Sequence, residues 1–509
     1  MKKVNIISSD EAAAMVNSGS TVATGGFVGC GHPEALTNAL EERFLKTGAP
    51  SGLTLVYAAG QGDGKNRGLN HLGHTGMLKR VIGGHWNLAP AMGKLAAENK
   101  IEAYNFPQGV ISQLFREIAA GNPGRLTHIG LDTFVDPRRG GGKLNSVTNE
   151  DMVELISLHD REWLLYKAFP IHTGFLRGTS SDSFGNISFE NEVLIAEALP
   201  LAQAVHNSGG KVIVQVSRIA DDYSRHPQQI IIPGIFVDAV VVAGTSQHMQ
   251  TFAEDFNPAY IQQGDSSKLP LAHLPPGARR IISRRALQEI KKNSIVNLGI
   301  GMPEGIALSA YEEGKIDDMV MTIEPGPVGG VPASGLSFGA TSYPHAVISQ
   351  TAMFDFYDGG GLDIAFLGLA ECDRMGNVNV SKFSGRIAGI GGFMNITQTA
   401  KTVVFTGTFT AGGLEVLYKS GKLSILQEGK NKKFKPLVAH LTFSGPYALK
   451  NKQRVLYVTE RAVFELCKEG IILTEIAPGM DITRDIIGQM DFTPAVSPAL
   501  RAMDEFAFR

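Results

Sequence analysis

Apolar positions along this chain come in two rhythms. Short, near-continuous apolar runs, "KVIVQV" (211–216), "AVVVAG" (239–244), "LDIAFLGLA" (362–370) and "RVLYVTE" (454–460), show no regular polar alternation. Alternation marks a strand with one wet face, and its absence marks a strand covered on both faces, as in a parallel sheet. Stretches of helical periodicity and Gly-dense loops separate the runs. The pattern predicts an α/β fold of open, largely parallel sheets with helices on their faces. Such sheets collect ligands at the carboxyl ends of their strands, where the Gly-rich turns of this chain fall.

The pattern also repeats. Residues 6–42 and 281–313 both begin Ile-Ile-Ser, run through a helix and a short apolar strand into a Gly-rich turn, and open a second helix on Pro-Glu (Pro33-Glu34, Pro303-Glu304). Ser8 and Ser283 are expected to cap the first helix of each copy. Pro and Glu suit a first helical turn, where a missing N–H costs nothing and an acid favours the dipole. A second pair, "RGTSSDSFGNIS" (177–188) and "LGLAECDRMGNVN" (367–379), shares Asp-x-x-Gly-Asn, read as a tight turn between strands. Two homologous α/β domains are therefore expected, 1–255 and 280–509, joined by a connector at 256–279, with the active site between them.

Composition narrows the function. A net charge of −2 over 509 residues gives no electrostatic case for nucleic acid or an anionic membrane. The 59 glycines stand well above the usual ~7% and cluster in loops such as "GGFVGCGHP", "LGIGMPEG", "DGGGLD" and "GIGGF". Cys30, Cys372 and Cys467 lie far apart without zinc spacing, which points to a reducing cytoplasm. The start meets Asp10 and Glu11 before any long apolar run, so a helix is expected there and not a secretory signal. No apolar stretch approaches the ~20 residues that span a bilayer.

Several segments could carry chemistry. "LGIGMPEGIA" places Gly299, Gly301 and Gly305 between a strand and a helix, either as a tight turn or as a cradle for phosphate or pantetheine at a helix N-terminus. Gly335 to Gly339 fits GxSxG around Ser337, with His345 and His440 downstream, but its flanks are not the strand and helix of a nucleophile elbow. His71 and His74 lack a third metal ligand in pattern, so no metal is expected, and His85-Trp86 reads as strand-end packing. In "TIEPGPVGGVP" (322–332), Glu324 follows a β-branched run and precedes Pro325, so it is expected to be extended. It is either a solvent-facing loop carboxylate or a functional one, with Gly326, Gly329 and Gly330 leaving room beside it.

Glu followed by Gly-x-x-Gly-Gly after such a strand resembles the active-site segment of family I coenzyme A transferases. The likeness runs over essentially the whole chain. "GGFVGCGHPEAL" (25–36) resembles the glycine motif of that family's first half, and "YNFPQG" (104–109) its strand and glutamine. The segments at 354–383 and 388–396 resemble the fused single-chain branch that includes propionate and acetate CoA-transferases.

The resemblance implies a short-chain acyl-CoA:carboxylate CoA-transferase with Glu324 as nucleophile, forming a γ-glutamyl-CoA thioester by ping-pong catalysis. It implies CoA as substrate and covalent intermediate and no tightly bound cofactor. Gly299, Ile300, Gly301, Met302 and Pro303 would line the CoA side, and Gln108 and Gly26 would position substrate, although Gln108 also suits a strand-end amide bonded to backbone. Pro325 and Pro327 depart from the family pattern and remove two N–H groups beside the nucleophile. Gly391 and Gly392 are therefore the expected oxyanion-hole donors. Ala58 and Ala59 stand where two-subunit relatives tend to carry asparagines, so those relatives' acid specificity does not transfer. Acetate, propionate, butyrate and lactate are the implied acids, and a homotetramer or homodimer the implied assembly. A thioesterase or esterase acting through Ser337 and a non-catalytic CoA-binding protein are the alternatives.

Overall fold

The computed structural model describes residues 3–269, 273–383 and 385–509. Residues 270–272 of the expected connector lie outside the described residues, as do Met1 and Lys2 at the start read against a secretory signal. By packing the chain forms two compact units. The first comprises Met1–Gly264, Ile323–Asp355 and Ser384–Asn395, and the second Asp265–Thr322, Phe356–Phe383 and Ile396–Arg509.

The first unit is built on eight strands: β1 (Asn5–Ile7), β2 (Thr21–Thr24), β3 (Leu53–Tyr57), β4 (Leu78–Gly83), β5 (Glu102–Asn105), β6 (Thr173–Arg177), β7 (Lys211–Val216) and β8 (Ala239–Val242). They lie in the order β1-β8-β7-β6-β2-β3-β4-β5, and every pairing is parallel. The unbroken apolar runs are the reason. Val212, Ile213 and Val214 of β7 and Val240 of β8 are all inaccessible, with no wet face to alternate toward. Helix α1 (Gln108–Ala119) buries Val110, Ile111, Leu114 and Phe115, each contributing roughly 1.5–3 kcal/mol on transfer from water.

The second unit holds β9 (Ser294–Leu298), β10 (Met319–Thr322), β11 (Ile364–Gly368), β12 (Thr402–Thr406), β13 (Arg454–Val458), β14 (Ala462–Cys467), β15 (Gly470–Ile476) and β16 (Ala495–Ala502). Their order is β10-β9-β11-β12-β13-β14-β15-β16. The pairings from β10 to β13 are parallel, and antiparallel β14 and β15 follow. Taken in chain order, β2, β3, β6, β7, β8 and β9, β10, β11, β12, β13 adopt the same spatial sequence, so the repeat read from the residues extends to topology.

The Asp-x-x-Gly-Asn pair deepens the correspondence. Asp182 accepts from the Phe184 and Asn186 amides, and Asp373 from those of Met375 and Asn377. Each Asn then accepts one further amide, from Gly234 and Gly445 respectively. Of the two expected caps, Ser8 forms a full capping box with Glu11. Ser283 does not cap. Its helix (Ala278–Leu287) starts five residues earlier, after Gly277, and Ser283 sits inside it fully buried. Gly277, with φ 144°, breaks the chain upstream and moves the helix start away from the serine.

Candidate active site

The site grows from the carboxyl ends of β2 to β5. Beyond Thr322 the chain enters the first unit, where Ile323 is buried with Phe27, Val28, Cys30, Phe338 and Ala340. Glu324 and Pro325 are the central residues of a turn closed by the Gly326 amide donating to the Ile323 carbonyl at 3.1 Å. Glu324 therefore sits in a turn, and at 8% exposed it is not a solvent-facing carboxylate. Gly326 is required here: at φ 131°, a Cβ would stand 1.8 Å from the Ile348 carbonyl oxygen. The Ile323 amide donates to Pro327 O. Pro325 and Pro327 lack N–H groups, and the amides of Ile323 and Gly326 are bonded within this turn.

The loop 389–393 lies against Glu324. A Cβ on Gly392 would stand 2.9 Å from Glu324 Cγ and 3.3 Å from its Oε1, so only glycine lets backbone approach the carboxylate this closely. Gly391 plays a different part from the one expected. Its N–H donates to the Gly84 carbonyl at 2.7 Å and is engaged in holding the loop. Asn105, at the end of β5, fastens the same junction: its Nδ2 donates to Gly83 O and Gly84 O, and its Oδ1 accepts from the Ile390 amide. Gly392 N–H makes no such backbone bond among the described residues.

Gln108, the first residue of α1, is 2% exposed, and its amide donates to Gly391 O at 2.9 Å. Its side-chain Oε1 lies 3.6 Å from where a Gly391 Cβ would be. Gln108 and Glu324 therefore flank one Gly-Gly step. The Gln108 side chain also continues a buried chain of polar groups. Its Nε2 meets Gln350 Oε1 at 3.0 Å, and Gln350 Nε2 meets Glu197 Oε2 at 2.7 Å. Gln350 and Glu197 are wholly inaccessible. Burial without a cationic partner pushes the Glu197 carboxyl up to about 8.

Gly26 (φ 132°) opens the turn in which Phe27 and Cys30 exchange backbone bonds, in the same core as Ile323. Ala58 and Ala59 are fully buried. Half-buried His85 is pushed down to about 4 by burial and by Arg386. In the second unit, Gly299 to Pro303 form the turn between β9 and α2 (Glu304–Glu312), with Ile300 54% exposed and Gly301 at φ 87°.

Ser337 is buried, and its hydroxyl meets Thr251 Oγ1 at 2.8 Å and Glu254 Oε2 at 3.2 Å. His440 is bonded instead to Ser381. His71 and His74 bond Glu34 and Glu41. Among the described residues no group of three or more His, Cys, Asp or Glu is placed to hold a metal, and no helix is long and apolar enough to cross a membrane.

Glu197 and Gln350 escape sequence reasoning. The available signal for Glu197 was a lone carboxylate inside "VLIAEALP", an apolar run offering it no nearby cation.

Residues 6–243 match the model of the family described as Coenzyme A transferase. The chain is 44% identical over 510 residues to the acetate CoA-transferase YdiF of Escherichia coli K12, covering 99% of this chain and 95% of that protein. It is 45% identical over 508 residues to the caffeate CoA-transferase of Acetobacterium woodii, covering 99% and 97%. The crystal structure of the acyl-CoA transferase YdiF from E. coli O157:H7, in a thioester complex with CoA, superposes with a TM-score of 0.94 at 42% identity, covering 100% of this chain and 96% of the other.

Proposed function

The chain belongs to the coenzyme A transferase family in its fused single-chain form, and from that premise we propose that it moves CoA between a short-chain acyl-CoA and a free short-chain carboxylic acid through Glu324. The observation that carries this reading is a carboxylate almost withdrawn from water at a turn, with the Gly392 backbone packed directly against it.

The Glu324 carboxylate attacks the acyl-CoA carbonyl, the C–S bond breaks, and an acyl–glutamyl anhydride and CoA thiolate result. The thiolate attacks the glutamyl carbonyl, expelling the first acid as its carboxylate and leaving a γ-glutamyl-CoA thioester. The second acid repeats these steps in reverse, so the thioester's energy is conserved. Only a carboxylate can serve, because the nucleophile must itself become an acyl group. A serine would stop at an ester.

Each addition creates an oxyanion, and one preorganised donor is worth about 3–4 kcal/mol. Gly392 N–H is the proposed donor, while Gly391 acts by anchoring the loop. Gln108 and Gly26 are proposed to position the acid, and Gly299 to Pro303 to meet CoA. The proposed acids are acetate, propionate, butyrate and lactate. Relatives that act on acetate and caffeate, and one captured as a thioester with CoA, support monocarboxylate transfer through a thioester. A homotetramer or homodimer in the cytoplasm completes the proposal.

The test is chemical. Enzyme given acyl-CoA without a second acid accumulates the thioester, which borohydride reduces to an alcohol and hydroxylamine traps as a hydroxamate. Peptide mapping is expected to place the change on Glu324 only after acyl-CoA exposure, and Glu324→Ala to abolish both labelling and exchange. A label on Ser337, or exchange by the alanine variant at a comparable rate, overturns the mechanism.

A further inference from the structure

Three buried polar side chains, Glu197, Gln350 and Gln108, form an unbroken line that ends at the Gly391–Gly392 step beside Glu324. The mechanism above uses only the last of them. At the far end, Glu197 Oε2 is bonded to Gln350, while Oε1 has no hydrogen-bond partner and lies 3.7 Å from where a Gly25 Cβ would be.

Few charges surround it. The Gly25 loop and Leu176 present no ionisable group to it. Arg177 and Glu192, on the neighbouring strand and loop, are paired with each other at 3.1 Å. His32 beyond the Gly26 turn is pushed down to about 4 by burial and stays neutral. Gln350 is the group facing Glu197 from its helix.

We propose that Glu197 is a positioning residue: through Gln350, its proton sets which end of the Gln108 carboxamide faces the reacting carboxyl.

Hydrogen-bond sense carries the argument. A carboxamide can donate with one end and accept with the other, and exchanging the two ends leaves its heavy-atom positions nearly unchanged. Ionised Glu197 only accepts, so Gln350 donates to it, Gln108 donates to Gln350, and Gln108 Oε1 is turned toward the Gly391 side. Protonated Glu197 must place its O–H, and no acceptor lies at Oε1. The proton belongs on Oε2, donating to the Gln350 oxygen. Gln350 then donates to Gln108 Oε1, and the Gln108 NH2 is turned toward the site. A donor there suits an incoming carboxylate or a forming oxyanion, whereas a carbonyl oxygen repels both. The raised Glu197 pKa keeps the productive sense populated at neutral pH.

The inference rests on transfer through Glu324, and its test separates the two. A group titrating at about 8 is roughly nine-tenths ionised by about pH 9, so wild-type kcat/KM for the acid should fall about tenfold from its value at about pH 6.5. Glu197→Gln has no titrating proton, whichever end of its amide faces Gln350, so its kcat/KM should lose this alkaline fall. Gln350→Met breaks the line and should lower kcat/KM for the acid about tenfold, without an alkaline limb near 8. A filler role for Glu197 would alter thermal stability and leave the pH profile alone. Glu197→Gln with the wild-type alkaline limb, or Gln350→Met with wild-type kinetics, overturns the relay. Thioester labelling of Glu324 in the same preparations reads the underlying chemistry separately: no label in wild type defeats transfer through Glu324, whereas normal labelling with an unchanged limb defeats only the relay.

Discussion

Glu324 and Glu197 are two buried carboxyls in one unit with opposite tasks. In the proposed mechanism the first attacks as an anion, and in the proposed relay the second keeps its proton. For Glu197 the consequence reaches stability. Its carboxyl ionises at about 8 when folded against an ordinary value near 4.5, so the native state holds the proton longer than the unfolded chain does. Stability contributed at this position is present at low pH, declines as pH rises between those two values, and levels off above the higher one. Glu197→Gln removes the decline. Its melting temperature should gain on the wild type as pH rises, with the gap widest above pH 8, in scanning calorimetry at matched ionic strength. A gap independent of pH would mean that Glu197 is not buried as an acid.

At the scale of elements, the loop 389–393 is the part that sequence reasoning half recovered. Gly391 and Gly392 were expected as backbone N–H donors to the reacting group, and Gly392 does lie against Glu324. Which of the two amides was already engaged was not legible, because Gly84 O, the acceptor of Gly391 N–H, lies 307 residues away in the chain. Gly392→Ala tests the distinction between closeness and folding. Its methyl would press on Glu324 Cγ at 2.9 Å, and displacing a nucleophile by about 1 Å can cost about 100-fold in rate. Turnover should drop by that order while circular dichroism and melting temperature stay close to wild type. A variant with full turnover would remove Gly392 from the reaction.

Over the whole molecule, the proposed chemistry makes a kinetic statement independent of any single contact. One enzyme form carries CoA and the other does not, so the first acid leaves before the second binds. Initial rates across acyl-CoA and acid concentrations should give parallel double-reciprocal lines. Lines that intersect throughout would require both substrates bound at once and would rule out a covalent enzyme–CoA intermediate.

Local patterns determined much by themselves. Near-continuous apolar runs bounded by turn signals read as strands covered on both faces, and the parallel sheets agree with that reading. Repeated turns with Asp, Gly and Asn at fixed spacing close on their own side-chain bonds, so the doubled topology was readable without tertiary information. For Glu324 the local pattern left two readings open, a solvent-facing carboxylate or a functional one, and only the family resemblance favoured the second. Tertiary structure decided the rest. It buried Glu324 in a turn, left Ser283 inside a helix, joined Ser337 to Thr251 and Glu254, and drew Ile323–Asp355 and Ser384–Asn395 into the first unit. It also assembled Glu197, Gln350 and Gln108 from positions 242 and 153 residues apart. The physical reason is the range of each force. Turn closure, capping propensity and alternation act over a few residues and leave their mark in local order. The burial that raises a carboxyl's pKa, and the sense of a hydrogen-bonded line, depend on what the fold brings alongside.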